Sequence, residues 1–112
     1  VQLTSEYYKK AISIVSETCG SLPVWVFTDD IDYAKQILSS FSDLFYVGGK
    51  LTTAAEEMKL MSMAKGIVCA NSTFSYWASV ISDSASLIVA PNSWIKAHEQ
   101  PEDFFPKGWK LI

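Results

Sequence analysis

Two hydrophobic periods alternate along the chain. Tyr8, Ala11, Ile12 and Val15 recur at three- and four-residue spacing, which puts them on one face of a helix. Thr4 or Ser5 stands at the N-cap position of that helix and Gly20 at its end. Val24-Trp25-Val26-Phe27, just after Pro23, is a short apolar run of the kind strands make. A second helical period carries Ile31, Ala34, Ile37, Leu38 and Phe41, and a second strand runs from Leu44 to Val47, closed by Gly48-Gly49. Thr53 lies three residues before Glu56, a capping box for a third helix that reaches Lys65. Ile67 to Ala70 is read as a third strand, Phe74 to Ile81 as a fourth helix, and Leu87 to Ala90 as a fourth strand stopped by Pro91. The tail after Trp94, with Pro101, Pro106 and Gly108, reads as irregular.

Strands that are apolar throughout, separated by helices, imply a parallel sheet covered on both faces. The expected fold class is therefore α/β: one Rossmann-like, three-layer domain over residues 1–112, with a leading helix over 1–22 and an irregular tail over 95–112. Right-handed crossovers favour the strand order second, first, third, fourth. The winding then reverses between the first and third strands. Ligands of open sheets bind at such a reversal, beyond the carboxyl ends of the strands. The two ends that meet there are Thr28-Asp29-Asp30 and Asn71-Ser72-Thr73.

Composition narrows the class. At 112 residues, with 49% hydrophobic and 19% charged side chains, the chain has the balance of one globular domain. Four tryptophans within a 13% aromatic content supply large side chains for a core. A net charge of -3 without any run of Lys or Arg argues against nucleic acid, whose phosphates call for a basic stripe. No apolar segment approaches the roughly 20 residues that cross a bilayer. No signal peptide is visible, and the start at Val1 reads as that of an excised piece. Cys19 and Cys69 lack metal-ligand spacing and are read as reduced thiols. Asn71-Ser72-Thr73 fits the N-glycosylation pattern, but a sequon emerging from a buried strand is silent in most proteins.

The polar knot after the third strand carries the main chemical signal. A helix that starts there has backbone N–H groups without intrahelical partners. With the hydroxyls of Ser72, Thr73 and Ser75 they form a small, uncharged anion site. The plain alternative is an N-cap and nothing more. The fourth helix is apolar nearly all round, which points to burial between layers. Of Asp29 and Asp30, one is read as the cap of the second helix; the other is free to bind a metal, orient a base or hold a loop. Paired acids after a first strand also occur in phospho-acceptor receiver domains. Those need an aspartate after the third strand and a lysine after the last, where this chain has Asn71 and Ala90-Pro91. Glu57 shares a face with Leu60, Met61 and Ala64, and either complements the helix dipole or accepts a donor edge such as a guanine N1–H and amine. His98 faces no visible nucleophile. The Met58, Met61 and Met63 group reads as packing.

The stretches YYKKAI, VFTDDIDYAK, EEMKLMSMAKGIVCANSTFSYWAS and IVAPNSWI, in this order and spacing, resemble the C-terminal half of glycosyltransferase family 11, the GDP-fucose-dependent alpha-1,2-fucosyltransferases. The resemblance runs from Tyr7 to Trp109. It implies the donor-binding, Rossmann-like half of a GT-B transferase that is metal-independent and inverting, with no cofactor beyond the donor GDP-L-fucose. By motif it places Ser72, Thr73, Phe74 and Ser75 beside the GDP diphosphate and Glu57 at the guanine, with Asn71 also among the donor-binding residues. Phe27, Thr28, Asp29 and Asp30 fall near the donor pocket. Glu57 replaces the family's aspartate, Ala64 a cysteine and Tyr76 a tryptophan. The family's basic H-x-R-R-x-D motif, whose arginine neutralises the leaving diphosphate, is absent here, so the catalytic residues are unknown.

The partners so implied are GDP-fucose, a glycan ending in galactose, an N-terminal domain of the same protein, and further copies of the chain through a bared surface. The implied setting is cytoplasmic, peripheral on the inner face of the membrane in a bacterium, or the Golgi lumen in a eukaryote. The isolated chain is expected to bind GDP weakly and not to turn over. Two other readings stay open: a GT-B transferase using another nucleotide, and a non-enzymatic α/β module whose polar knot only caps a helix.

Overall fold

The computed structural model describes residues 3–48, 53–92 and 104–112. Four helices alternate with short strands: α1 (Ser5–Cys19), β1 (Val24–Phe27), α2 (Ile31–Ile37), β2 (Leu44–Val47), α3 (Ala54–Ser62), β3 (Gly66–Val68), α4 (Thr73–Val80), β4 (Leu87–Ala90) and β5 (Lys110–Leu111). The fold is α/β and Rossmann-like, and every strand pairing among the described residues is parallel.

Local chemistry fixes the helix starts. Thr4 caps α1 by accepting from Tyr7 N, and Asp30 caps α2 by accepting from Tyr33 N at 3.0 Å. At α3 the capping box is complete: Thr53 Oγ1 accepts from Glu56 N and Glu56 Oε1 accepts from Thr53 N. That bond holds the exposed Glu56 carboxyl below its ordinary pKa, because accepting N–H donors favours the charged form. α1 ends at Gly20, whose φ of 83° lies in the region glycine enters without a Cβ clash. α2 and α3 stop earlier than the periodicity implies. Leu38 closes α2, leaving Phe41 beyond it, and α3 ends in a tightened turn in which Met63 N donates to the Leu60 carbonyl.

The sheet departs from the expected order. The strands form two sheets, β1-β2 and β3-β4-β5, and no ladder joins β1 to β3. The expected neighbours, second with first and third with fourth, are in place. With three residues, β3 offers few hydrogen bonds to enforce a second pairing. It is held instead by β4 on one edge and by α1, which packs on both β3 and β4. A Cβ on Gly66 would collide with Val15 of α1, so glycine sets the closeness of that contact. The tail is also more ordered than expected: Lys110–Leu111 adds β5 beside β4, and Ile112 N donates to the Ala90 carbonyl.

Two faces expected to be covered are open. Trp25 and Phe45 sit opposite each other on β1 and β2, 48% and 55% exposed, so that sheet is covered on one side only. α4 is not sealed between layers. Its buried side is made of the small residues Ser75, Ala78 and Ser79, while Trp77 is 52% exposed and Ile81, just past its end, 51%. The apolar composition of the helix hid this, because small residues allow the close approach and large ones were left outside. The core gathers around Ile67, Cys69, Val89 and Ala90.

Candidate functional site

The gap between β1 and β3 is a cavity of about 620 Å³. Val26 and Thr28 line it from one sheet, and Ile67, Val68 and Ala70 from the other; Tyr8 and Val15 of α1 and Ala34 of α2 close it further. Most of the lining is apolar. Ser16 and Lys65 add polar lining elsewhere, and one polar corner lies at the carboxyl ends of β1 and β3, at Thr28, Ser72 and Ser75. This is the place the reversal of winding assigns to a ligand.

The β3–α4 turn builds that corner. Ser72 is the N-cap of α4, and its Oγ accepts from Ser75 N at 3.2 Å. Ser75 is buried; its hydroxyl donates to the Ala70 carbonyl at 2.9 Å and lies 2.9 Å from Ser72 Oγ. That hydroxyl is therefore committed inside the turn. Tyr76 N donates to the Ser72 carbonyl. What the turn still offers outward, among the described residues, is the N–H groups of Thr73 and Phe74 and the hydroxyl of Thr73. Ser72 and Thr73 are exposed, so an anion has access to these donors.

Of the candidate residues, Ser72, Phe74 and Ser75 line the cavity, with Thr28 opposite. Asn71 and Thr73 adjoin it without lining it. Asp29 and Asp30 are exposed, and Asp30 is occupied as the cap of α2. Thr28 Oγ1 accepts from Asp30 N at 3.0 Å, which bends the chain from β1 into that cap. Glu57 is half-buried on α3, a helix packed against α4, and lies outside the cavity lining. His98 falls outside the described residues. Among those described, no cluster of three His, Cys, Asp or Glu side chains is arranged to hold a metal, and no helix is long and apolar enough to cross a membrane.

A second layer stiffens the turn, and the sequence reading missed it. The Tyr7 hydroxyl, from α1, donates to the Cys69 carbonyl at 2.6 Å. Cys69 Sγ lies 3.0 Å from Ser79 Oγ and 3.6 Å from the Ser75 carbonyl oxygen. Burial pushes the Cys69 thiol up to about 11, against the smaller lowering effect of its Ser79 and Ser75 bonds. Burial likewise raises the Tyr7 phenol well above its ordinary value. Both groups are neutral near pH 7. A tyrosine sixty-two residues away has no local signal to connect it to a turn; only its place in the YYKKAI stretch marked it.

The fold is an α/β domain with a helix N-terminus beside an interstrand cavity. The family profile described as glycosyl transferase family 11 matches residues 2–112, and the chain belongs to that family. It is 32% identical over 115 residues to an alpha-1,2-colitosyltransferase of Escherichia coli, an alignment that covers 97% of this chain and 39% of the relative. It is 28% identical over 100 residues to the O-antigen biosynthesis glycosyltransferase WbnK of Escherichia coli, covering 88% of this chain and 33% of the relative. The chain thus spans between a third and two fifths of the length of these relatives. No solved structure matches it.

Proposed function

We propose that the chain is the donor-binding part of a glycosyltransferase that moves a 6-deoxy sugar from its GDP ester to a galactose-type 2-hydroxyl. The observation that carries this reading is the turn before α4, where two outward N–H groups and the Thr73 hydroxyl sit at the mouth of the interstrand cavity. A helix of eight residues puts partial positive charge at that end. Such a site holds a diphosphate without a formal cation and releases it readily. The apolar body of the cavity suits a base or a deoxy sugar better than a polyhydroxylated one. The sugar is L-fucose or its 3-deoxy counterpart colitose, the sugar named for one relative; the donor requires no metal.

Glu57, half-buried on α3 beside α4, is proposed to reach the guanine edge. The diphosphate's charge is not met on this chain by arginine, since its basic residues are all lysines. Catalytic neutralisation is thus assigned to sequence outside these 112 residues, and the chain alone is expected to bind without turnover. A thermal-shift comparison tests the nucleotide. GDP should raise the melting temperature, and UDP and ADP should leave it in place. Equal shifts from all three would point to a transferase using another donor, and no shift from any would favour a plain helix cap.

A further inference from the structure

We infer that Tyr7 is a positioning residue that aims the α4 amides at the donor diphosphate; the inference rests on the donor reading above. Between the end of β3 and the cap at Ser72 the chain has to turn through Cys69, Ala70 and Asn71. Two successive carbonyls of that stretch are held from different elements. The Cys69 carbonyl accepts the Tyr7 hydroxyl of α1 at 2.6 Å, and the Ala70 carbonyl accepts the Ser75 hydroxyl of α4 at 2.9 Å. Each bond fixes one peptide plane. Together they set the direction in which the chain enters the helix, and so the direction of the Thr73 and Phe74 N–H groups.

The Ser75 bond is local and comes with the helix. The Tyr7 bond is not. It ties the turn to α1, which is anchored independently by its packing on β3 and β4. The distance is at the short end for an O–H···O bond. The phenol is half-buried and held in its neutral, donating form, so the tie is constant across the physiological pH range. Cys69 adds a brace from the same residue, its thiol lodged against Ser79 Oγ and the Ser75 carbonyl. Donors fixed before the ligand arrives need no reordering on binding, which is where preorganisation improves affinity.

Tyr7→Phe keeps the ring and its edge contact with Tyr8 and removes the one bond. The test is calorimetric titration of the 112-residue chain and of Tyr7→Phe with GDP, pyrophosphate and guanosine, alongside melting temperatures. Loss of the tie should weaken GDP and pyrophosphate by about tenfold, the scale of one hydrogen bond, and leave guanosine unchanged. Tyr7→4-aminophenylalanine, which restores a donor, should recover most of the loss. A lower melting temperature with unchanged GDP affinity would make Tyr7 a structural residue only and overturn the inference while the donor reading stands. Equal loss for pyrophosphate and guanosine would also overturn it. Failure of the unaltered chain to bind GDP at all would remove the donor reading and this inference together.

Discussion

Ser72 does two things at once, and they are separable. As the cap of α4 it satisfies Ser75 N, so Ser72→Ala should cost about 1 kcal/mol of stability. If the turn also receives a diphosphate, the same change should weaken GDP several-fold, because the helix start frays where the phosphate sits. Urea unfolding and GDP titration read the two effects independently, and a stability loss with unchanged affinity would leave only the cap. The cysteines make a second test. Cys69 is buried with its thiol pushed up to about 11, whereas Cys19 is partly exposed. A disulfide reagent at pH 8 should therefore titrate one thiol in the native chain and two in denaturant. The pH dependence has a definite sign. The folded Cys69 pKa lies above the ordinary thiol value of 9.0, so the unfolded chain loses that proton first. The stability it contributes is whole below pH 9 and falls as pH rises toward 11, with Tyr7 acting in the same direction at still higher pH. The caps were legible in the sequence because each depends on residues three apart. Ser75's commitment inside the turn was not, since a buried hydroxyl and a free one look alike in a string of letters.

At the scale of elements, one side chain of α4 reaches across to the tail, which β4 also holds through β5. Tyr76 of α4 donates its hydroxyl to the Phe104 carbonyl at 2.6 Å and stacks near Phe104 and Trp109. Tyr76→Phe should loosen residues 104–112 while leaving α4 in place, visible as faster amide exchange at Lys110 and Ile112 with protection of Val80 unchanged. Exchange that stays slow throughout would mean that the aromatic stacking alone suffices. β5 escaped the sequence reading because Lys110–Leu111 is too short to show a period, and it exists only because β4 has a free edge beside it. The same logic explains the strand order. Neighbours joined by one helix, such as β1 with β2, were readable from right-handed crossovers. The missing ladder between β1 and β3 is a matter of how the two sheets pack, which no periodicity records. The expected reversal point survives nonetheless, as a cavity mouth in place of a shared edge.

At the scale of the whole molecule, several large apolar side chains are exposed: Trp25 and Phe45, opposite each other on β1 and β2, and Met63, Trp77 and Ile81. Patches of this kind mark contact surfaces, in keeping with relatives more than twice as long as this chain. The isolated chain should therefore self-associate as its concentration rises, and Trp25→Ser with Phe45→Ser should reduce the effect in light scattering. A strictly monomeric chain at millimolar concentration would contradict that. The outward amides at the start of α4 are proposed to meet the diphosphate of the donor, and an amide-resolved NMR titration of the chain with GDP tests this at the atoms concerned. The largest shifts should fall at Thr73 and Phe74 and be reproduced by pyrophosphate, with Asp83 and Ser84 unmoved. Shifts confined to other parts of the chain, with Thr73 and Phe74 silent at saturation, would contradict it.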